Sequence, residues 1–201
     1  MLVLGLDTAT PTVSVAVVDG DVVRAERNEA SGNRHAEVLT PLINDVLADA
    51  QVTLADLDAI AVGVGPGPFT GLRVGVVTAA TLADAIGVPT YAVCSLDAIA
   101  RAHATKDDDD EEFLVLTDAR RRQVYWARYA ADGTRLDGPD MEEPSAVTAR
   151  WSGRIVDGAY PRASDTCLLA RHGEPVDVLE PLYLRRPDAR PPGPPKKVTA
   201  S

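Results

Sequence analysis

Between Leu2 and Arg27 lie three strand-like runs, LVLGLD (2–7), TVSVAVVD (12–19) and DVVRAER (21–27), with no helical pattern between them. Links this short join antiparallel neighbours, whereas parallel strands need a crossover of about a dozen residues or more, usually a helix. The first run is continuous and apolar, as a strand covered on both faces should be. The second alternates and ends in Asp19-Gly20, a hairpin turn signal. The third is more polar and belongs nearer an edge.

From residue 35 the period changes. RHAEVLTPLINDVLADA sets Val38, Leu39, Leu42, Ile43, Val46 and Leu47 at helical spacing. Pro41 within it should strip the Glu37 carbonyl of its partner and kink or restart the helix. A short buried strand follows at 57–65, then a helix from about 71 to 86 closed by Gly87 with Pro89 beyond it. A strand at 89–93 and a short helix at 95–104, capped by Ser95, complete the first half. The order β-β-β-α-β-α-β-α is that of a ribonuclease-H-like lobe, the unit that actin-like ATPases and sugar kinases duplicate. After the acidic run DDDDEE (107–112) the pattern restarts, with strands at 112–119 and 123–130, a helix at 145–150, a strand at 153–160 and a helix at 164–173. The expectation is an α/β, actin/Hsp70-like protein of two lobes. The N-terminal lobe would span 1–106 and a smaller C-terminal lobe 107–185, with no complete nucleotide site. A Pro-rich, extended or disordered tail would cover 186–201.

Charge narrows the function. A net charge of −10 repels a polyanion on average, and nucleic-acid binding draws its affinity largely from Lys and Arg on phosphates. Contact with nucleic acid is therefore expected to be indirect, although RPPGPPKK near the end offers a local basic contact. The acidic run reads as a solvated loop. Cys94 and Cys167 fit no metal or redox spacing and read as reduced thiols of a cytoplasmic protein. The N-terminus lacks the basic flank of a signal peptide, and no apolar run approaches the roughly 20 residues that span a bilayer. His35, His103 and His172 stand one to a segment, so no metal or acid–base centre is assembled. No metal-site or catalytic residue is assigned.

The stretch VGVGPGPFTGLRVG (62–75) looks at first like a phosphate loop. It lacks the Lys of a Walker motif and misses the GxGxxG spacing. Pro66 and Pro68 also remove N–H groups that a phosphate cradle would need. A stiff turn leading into a helix capped by Thr70 is the better description. That helix carries charge only at Arg73 and Asp84, and sets Val74, Val77, Thr78, Thr81 and Ala85 on faces that one sheet cannot all cover. A contiguous apolar patch of this kind marks an interaction surface. Val38, Leu39, Leu42 and Ile43 of the preceding helix are expected to share it. Asp7, Thr8 and Thr10, with Ser14 nearby, form a hydroxyl-rich turn after a central strand. Either Asp7 lies near a nucleotide, together with Thr70 and Arg73, or it caps the amides of residues 8–10.

At GLDTATPTVSVAV, GVGPGPFTGLRVG, TDARRRQVYWARY and EPLYLR, the chain closely resembles the TsaB (YeaZ) family from Met1 to about Arg185. The resemblance implies the two-lobed fold and a subunit of the bacterial machinery that makes threonylcarbamoyladenosine next to the tRNA anticodon. It further implies that the chain is not the enzyme. It would pair with TsaD, the paralogue that performs the transfer and carries the ATP and metal, with TsaE, a P-loop ATPase, joining the pair. No cofactor would bind the chain alone, and alone it would form a homodimer. Where TsaD carries two metal-binding histidines, this chain has Ser95 and Ile99. Family members usually read GPGSFTG, and Pro68 stands in place of that Ser. The competing expectation is an actin-like ATPase or sugar-kinase-like enzyme using Asp7.

Overall fold

The computed structural model describes residues 1–32, 34–105 and 111–185. Elements run in the order β1 (Leu2–Asp7), β2 (Thr12–Asp19), β3 (Val22–Ala30), α1 (His35–Ala50), β4 (Ala59–Gly63), α2 (Phe69–Ile86), β5 (Thr90–Val93) and α3 (Ser95–His103). A second series follows: β6 (Phe113–Asp118), β7 (Val124–Tyr129), β8 (Arg135–Glu142), α4 (Pro144–Ala149), β9 (Arg154–Asp157) and α5 (Ala163–Ala170). The first sheet has strand order β3-β2-β1-β4-β5, antiparallel across β1–β2 and β2–β3 and parallel across β1–β4 and β4–β5. The second sheet, β8-β7-β6-β9, repeats that order with one strand fewer. This doubling of a ribonuclease-H-like unit is the actin/Hsp70-like fold.

Side-chain alternation sorts β1 between two cores. Leu4 and Leu6 face α1 and α2 together with Val13, Val15, Ile60 and Val62. Val3 faces the opposite way, with Ala16, Ala59, Ala61 and the α5 residues Ala163 and Cys167. Burial on both sides is why the 2–7 run has no polar residue before Asp7. Each expected lobe holds one sheet, but two helices cross between them. α3 packs Leu96 and Ile99 under the second sheet against Phe113, Val115 and Tyr129. α5 returns to cover the first sheet, so close that a Cβ on Gly5 would lie 2.5 Å from the Ala163 carbonyl oxygen and 2.5 Å from Cys167 Sγ. Its first-turn amides are met from the other lobe. Ala163 N–H donates to Ser14 Oγ (2.7 Å), and Ser164 N–H donates to Glu26 Oε1 (3.0 Å). Buried Asp165 accepts from Arg101 and Arg162, each at 2.9 Å.

Several expectations need correction. α1 is continuous through Pro41. Pro41 and Glu37 are both exposed, so water can serve the carbonyl that the proline abandons. α2 begins at Phe69 with Pro68 as its N-cap and no side-chain cap, leaving Thr70 in the first turn rather than capping. α3 is preceded by Cys94 as N-cap, and Ser95 is its first residue. The strand β8 falls in RLDGPDME, where Gly138-Pro139 reads as a turn. It is nonetheless paired with β7, with register shifts beside Arg128. The tail 186–201 and most of the acidic run lie outside the described residues. α2 does reach the length and apolarity of a candidate bilayer span, with 18 residues and a mean hydropathy of 1.3. It is layered over the parallel strands β1, β4 and β5 of the first sheet, which accounts for the apolar character of its inner face.

Candidate functional site

β1 ends at the centre of the molecule, and its turn fixes the start of α2. Thr8 Oγ1 donates to the Gly71 carbonyl (2.8 Å) and accepts from Gly75 N–H (3.1 Å), the donor and acceptor that would pair with each other in an undisturbed helix. The approach requires glycine at both positions. A Cβ on Gly75 would stand 2.4 Å from Thr8 Oγ1, and one on Gly71 2.8 Å from the Thr8 carbonyl oxygen. Gly67 is held the same way, with its Cβ direction 2.4 Å from the Ala9 carbonyl oxygen. The glycines of GPGPFTGLRVG thus let a helix and a turn cross at backbone distance.

Asp7 lies beneath this crossing, fully buried. Its Oδ1 accepts from Ala9 N–H (2.8 Å) and its Oδ2 from Ser95 Oγ (2.7 Å), while Ser95 Oγ accepts from Gly65 N–H (3.2 Å). Burial pushes its carboxyl up to about 7, against the lowering pull of the Ala9 and Ser95 hydrogen bonds. Gly63 presses on the same carboxylate, and a Cβ there would fall 1.7 Å from Oδ2. Both carboxylate oxygens are thus engaged by groups of the chain itself. Thr10 lies at the edge of the cluster, its carbonyl facing His35 Nε2 at 2.8 Å. A carbonyl only accepts, so Nε2 carries the proton. Ile99 is packed in the second core, away from this network. Among the described residues no three of His, Cys, Asp and Glu cluster tightly enough to hold a metal ion. Both thiols are pushed up by burial, Cys94 to about 12, which leaves them protonated and poorly nucleophilic.

The sequence-predicted residues therefore separate into two groups. Asp7, Thr8 and Thr10 come together with Ser95. Thr70 and Arg73 lie on the outer side of α2, where Arg73 covers the Phe69 ring at 4.0 Å and donates through Nε to Tyr183 Oη at 3.1 Å. Tyr183, which the sequence offered only as part of the EPLYLR motif and without a role, stacks on Phe69 at 4.8 Å.

The apolar surface is smaller than the periodicities suggested. Val38, Leu39, Leu42 and Ile43 are buried in the chain's own core, with Leu39 1 % exposed, although Leu39 also lines the groove between α1 and α2. On α2, Val77 is 61 % exposed, Thr81 and Ala85 are exposed, and Val74 and Thr78 are half-buried. Between the helices runs a groove of about 480 Å³ whose walls include Ala36, Thr40, Val74 and Val77. It opens at the N-terminal end of α2 into a second cleft of about 560 Å³ between the lobes, where Tyr125, Tyr183 and the hairpin joining β6 to β7 form the far wall.

A family model described as TsaD, tRNA N6-adenosine threonylcarbamoyltransferase, matches residues 28–158. An uncharacterized protein of Mycobacterium tuberculosis is 44 % identical over 205 residues, covering 94 % of each chain. The Escherichia coli tRNA threonylcarbamoyladenosine biosynthesis protein TsaB is 36 % identical over 221 residues, covering 92 % of this chain and 95 % of that one. Among solved structures, a Pseudomonas aeruginosa protein described as similar to peptidase YeaZ superposes with a TM-score of 0.78 at 28 % identity, over 92 % of this chain and 99 % of that one. A second, titled YeaZ from the same organism, gives 0.73 over 85 % and 91 %. On the strength of near-full-length identity to the E. coli protein, the chain belongs to the TsaB (YeaZ) family, whose named members are tRNA threonylcarbamoyladenosine biosynthesis proteins.

Proposed function

We propose that this chain is a non-catalytic, cytoplasmic subunit of tRNA threonylcarbamoyladenosine synthesis that docks a TsaD-type subunit through the outer face of α2. The observation that carries the reading is Val77, a large aliphatic side chain 61 % exposed at the middle of a helix whose inner face is pinned by Thr8. A pinned helix keeps its outer face in a fixed geometry, which lowers the ordering cost of docking. A standard interface buries roughly 1,200–2,000 Å² in total, and the groove beside α1 extends the available surface. In this reading ATP and metal belong to TsaD, TsaE joins through the pair, tRNA is contacted indirectly, and in isolation the same face pairs two copies of the chain.

The test is co-purification and reconstituted tRNA modification with the TsaD-type subunit of the same genome. Val77→Asp should abolish the complex and the modification while leaving the melting temperature within a few degrees. A folded Val77→Asp variant that still binds as wild type would overturn the reading. Leu39→Asp is unsuited to this purpose, because it buries a charge in the core and should unfold the chain. The competing reading, an ATPase or sugar-kinase-like enzyme using Asp7, gains nothing from a carboxyl sealed against Gly63. Calorimetry of the isolated protein with Mg-ATP addresses it directly, since tight binding with turnover would restore it.

A further inference from the structure

The exposed face of α2 carries two charges of opposite sign, Arg73 and Asp84. They stand eleven residues apart, which on a helix is about 16 Å along the axis and only about 20° around it. Val77 and Ala80, both exposed, fall between them on the same line. Successive spacings of four, three and four residues make a seam along which one neighbouring helix can lie, and the small Ala80 at its middle allows a close approach. Neither charge serves the helix that carries it. Arg73 lies near the N-terminal end and Asp84 in the last turn, each where the helix dipole has the same sign as the side chain. Among the described residues, neither is in an ion pair. Arg73 is instead held by an aromatic frame, its guanidinium over the Phe69 ring at 4.0 Å and its Nε donating to Tyr183 Oη at 3.1 Å. The frame orders the side chain without neutralising it. Of the described residues that line the groove between α1 and α2, Arg73 alone is charged.

We infer that the partner lays a single helix antiparallel along this seam, with a carboxylate near its C-terminal end on Arg73 and a cationic side chain near its N-terminal end on Asp84. The direction follows from charge. An antiparallel neighbour brings its negative, carbonyl end to Arg73 and its positive, amide end to Asp84, so its backbone already complements both residues. A parallel neighbour would set like sign against like at both ends. The arginine fork takes a carboxylate through two hydrogen bonds, and the Phe69–Tyr183 frame spares part of the side-chain ordering that docking costs. Val77 supplies apolar contact, while the two ends fix which way the partner helix runs and where along α2 it stops. The inference rests on the docking reading above and adds the direction and the end charges of the helix that docks.

The experiment uses the full-length chain and the TsaD-type subunit of the same genome, with affinity measured by calorimetry at about 0.05 M salt, where screening is weak. Asp84→Lys is the cleanest variant, because Asp84 has no ion pair to lose and a lysine suits the last turn. It should leave the melting temperature equal or slightly higher and weaken the complex about five- to tenfold. Arg73→Glu should weaken it about tenfold or more, with Arg73→Gln in between. The double variant Arg73→Glu/Asp84→Lys should bind more weakly than either single one. Recovery of affinity in the double variant would mean that the two charges act on each other, and would overturn the inference. Direction is read by cross-linking. A benzophenone attached to Thr70→Cys should capture the C-terminal half of a partner helix, and one attached to Ala85→Cys the N-terminal half of the same helix, with the unsubstituted chain as control for the native thiols. Capture in the opposite order overturns the inference. If both single reversals leave the affinity within about twofold while Val77→Asp abolishes it, the inference is wrong and the docking reading stands. If Val77→Asp has no effect, the docking reading itself falls and takes the inference with it. Reversals that abolish pairing of the isolated chain with itself, and leave the partner's affinity unmoved, assign the seam to a second copy and overturn the inference.

Discussion

Asp7→Asn offers the sharpest test of what the centre of the molecule does. The carboxyl is fully buried and has no cationic partner, and burial raises it from 3.8 to about 7. An acid raised in the folded state holds its proton there up to about pH 7, whereas in the unfolded chain it releases the proton near 4. The folded state therefore binds more protons between those values, and stability falls as pH rises through that window. The gap of about three units is worth on the order of 4 kcal/mol in all, of which about 2–3 kcal/mol should be lost between pH 5 and pH 8. Asp97, also raised chiefly by burial, acts in the same direction and is present in both proteins. Asp49, lowered chiefly by its hydrogen bond from Arg27, and Glu142, lowered chiefly by that from Arg150, act in the opposite direction only near pH 4 and below. An asparagine at position 7 keeps the acceptor for Ala9 N–H and turns its amide toward Ser95, whose hydroxyl proton then lacks an acceptor, at a cost of about 1 kcal/mol. The test lies in the slope rather than the offset. Urea unfolding at pH 5, 6, 7 and 8 should show wild-type stability declining and Asp7→Asn nearly flat by comparison. Parallel slopes would refute the account of Asp7 as a buried, uncompensated acid. The same variant should also still support tRNA modification with its partners, whereas an Asp7-dependent phosphoryl-transfer enzyme would lose its activity.

Thr8→Val replaces the hydroxyl between Gly71 and Gly75 by a methyl group too large for contacts of 2.8 and 3.1 Å. It should cost about 1–3 kcal/mol in urea unfolding, with Thr8→Ser milder, and the reverse order would show that packing rather than the hydrogen bonds matters. Gly5→Ala forces a Cβ to within 2.5 Å of Cys167 Sγ and of the Ala163 carbonyl oxygen. It should cost a similar 1–3 kcal/mol, roughly, and speed thiol labelling of Cys167 as α5 lifts from the sheet; an unchanged labelling rate would mean that the sheet moves instead.

The first sheet and its helices were legible because each strand and stripe had its own period: β1, β2, β4, β5 and α1 through α3 fall within two residues of where the patterns put them, and β3 runs three residues past its expected end at Arg27. β8 was not, because pairing with β7 overrode the turn chemistry of Gly138-Pro139. The site was only half legible. The stripe of α1 is what any helix layered on a sheet requires, and periodicity cannot tell a stripe that meets the chain's own sheet from one that meets another chain. α2 differed because its apolar residues encircle the axis, so some had to remain outside, and Val77 does. The hydroxyls of the β1 turn misled for another reason. Thr8 and Ser14 satisfy backbone groups 67 and 149 residues away, and no local spacing announces such partners.

That misdirection bears on how this fold could serve the docking role proposed above. A phosphate site after β1 needs free hydroxyls and amides, open space beside the aspartate, and a helix start that stands off far enough to admit a ligand. Here the same positions hold a hydroxyl, an aspartate and a glycine-rich helix start, but the distances have closed. Thr8 grips the helix backbone, Asp7 grips Ala9 and Ser95, and Gly63, Gly67, Gly71 and Gly75 have no side chains to keep the parts separate. The polar groups that would have faced a nucleotide are spent on one another, and in return α2 is fixed rigidly to β1 with its apolar side outward. Opening the site and presenting the helix are competing uses of one set of atoms. A larger side chain at Gly63 or Gly75 would push the turn and helix apart without creating a nucleotide site, because the network that it breaks is the one that holds the proposed docking face in place.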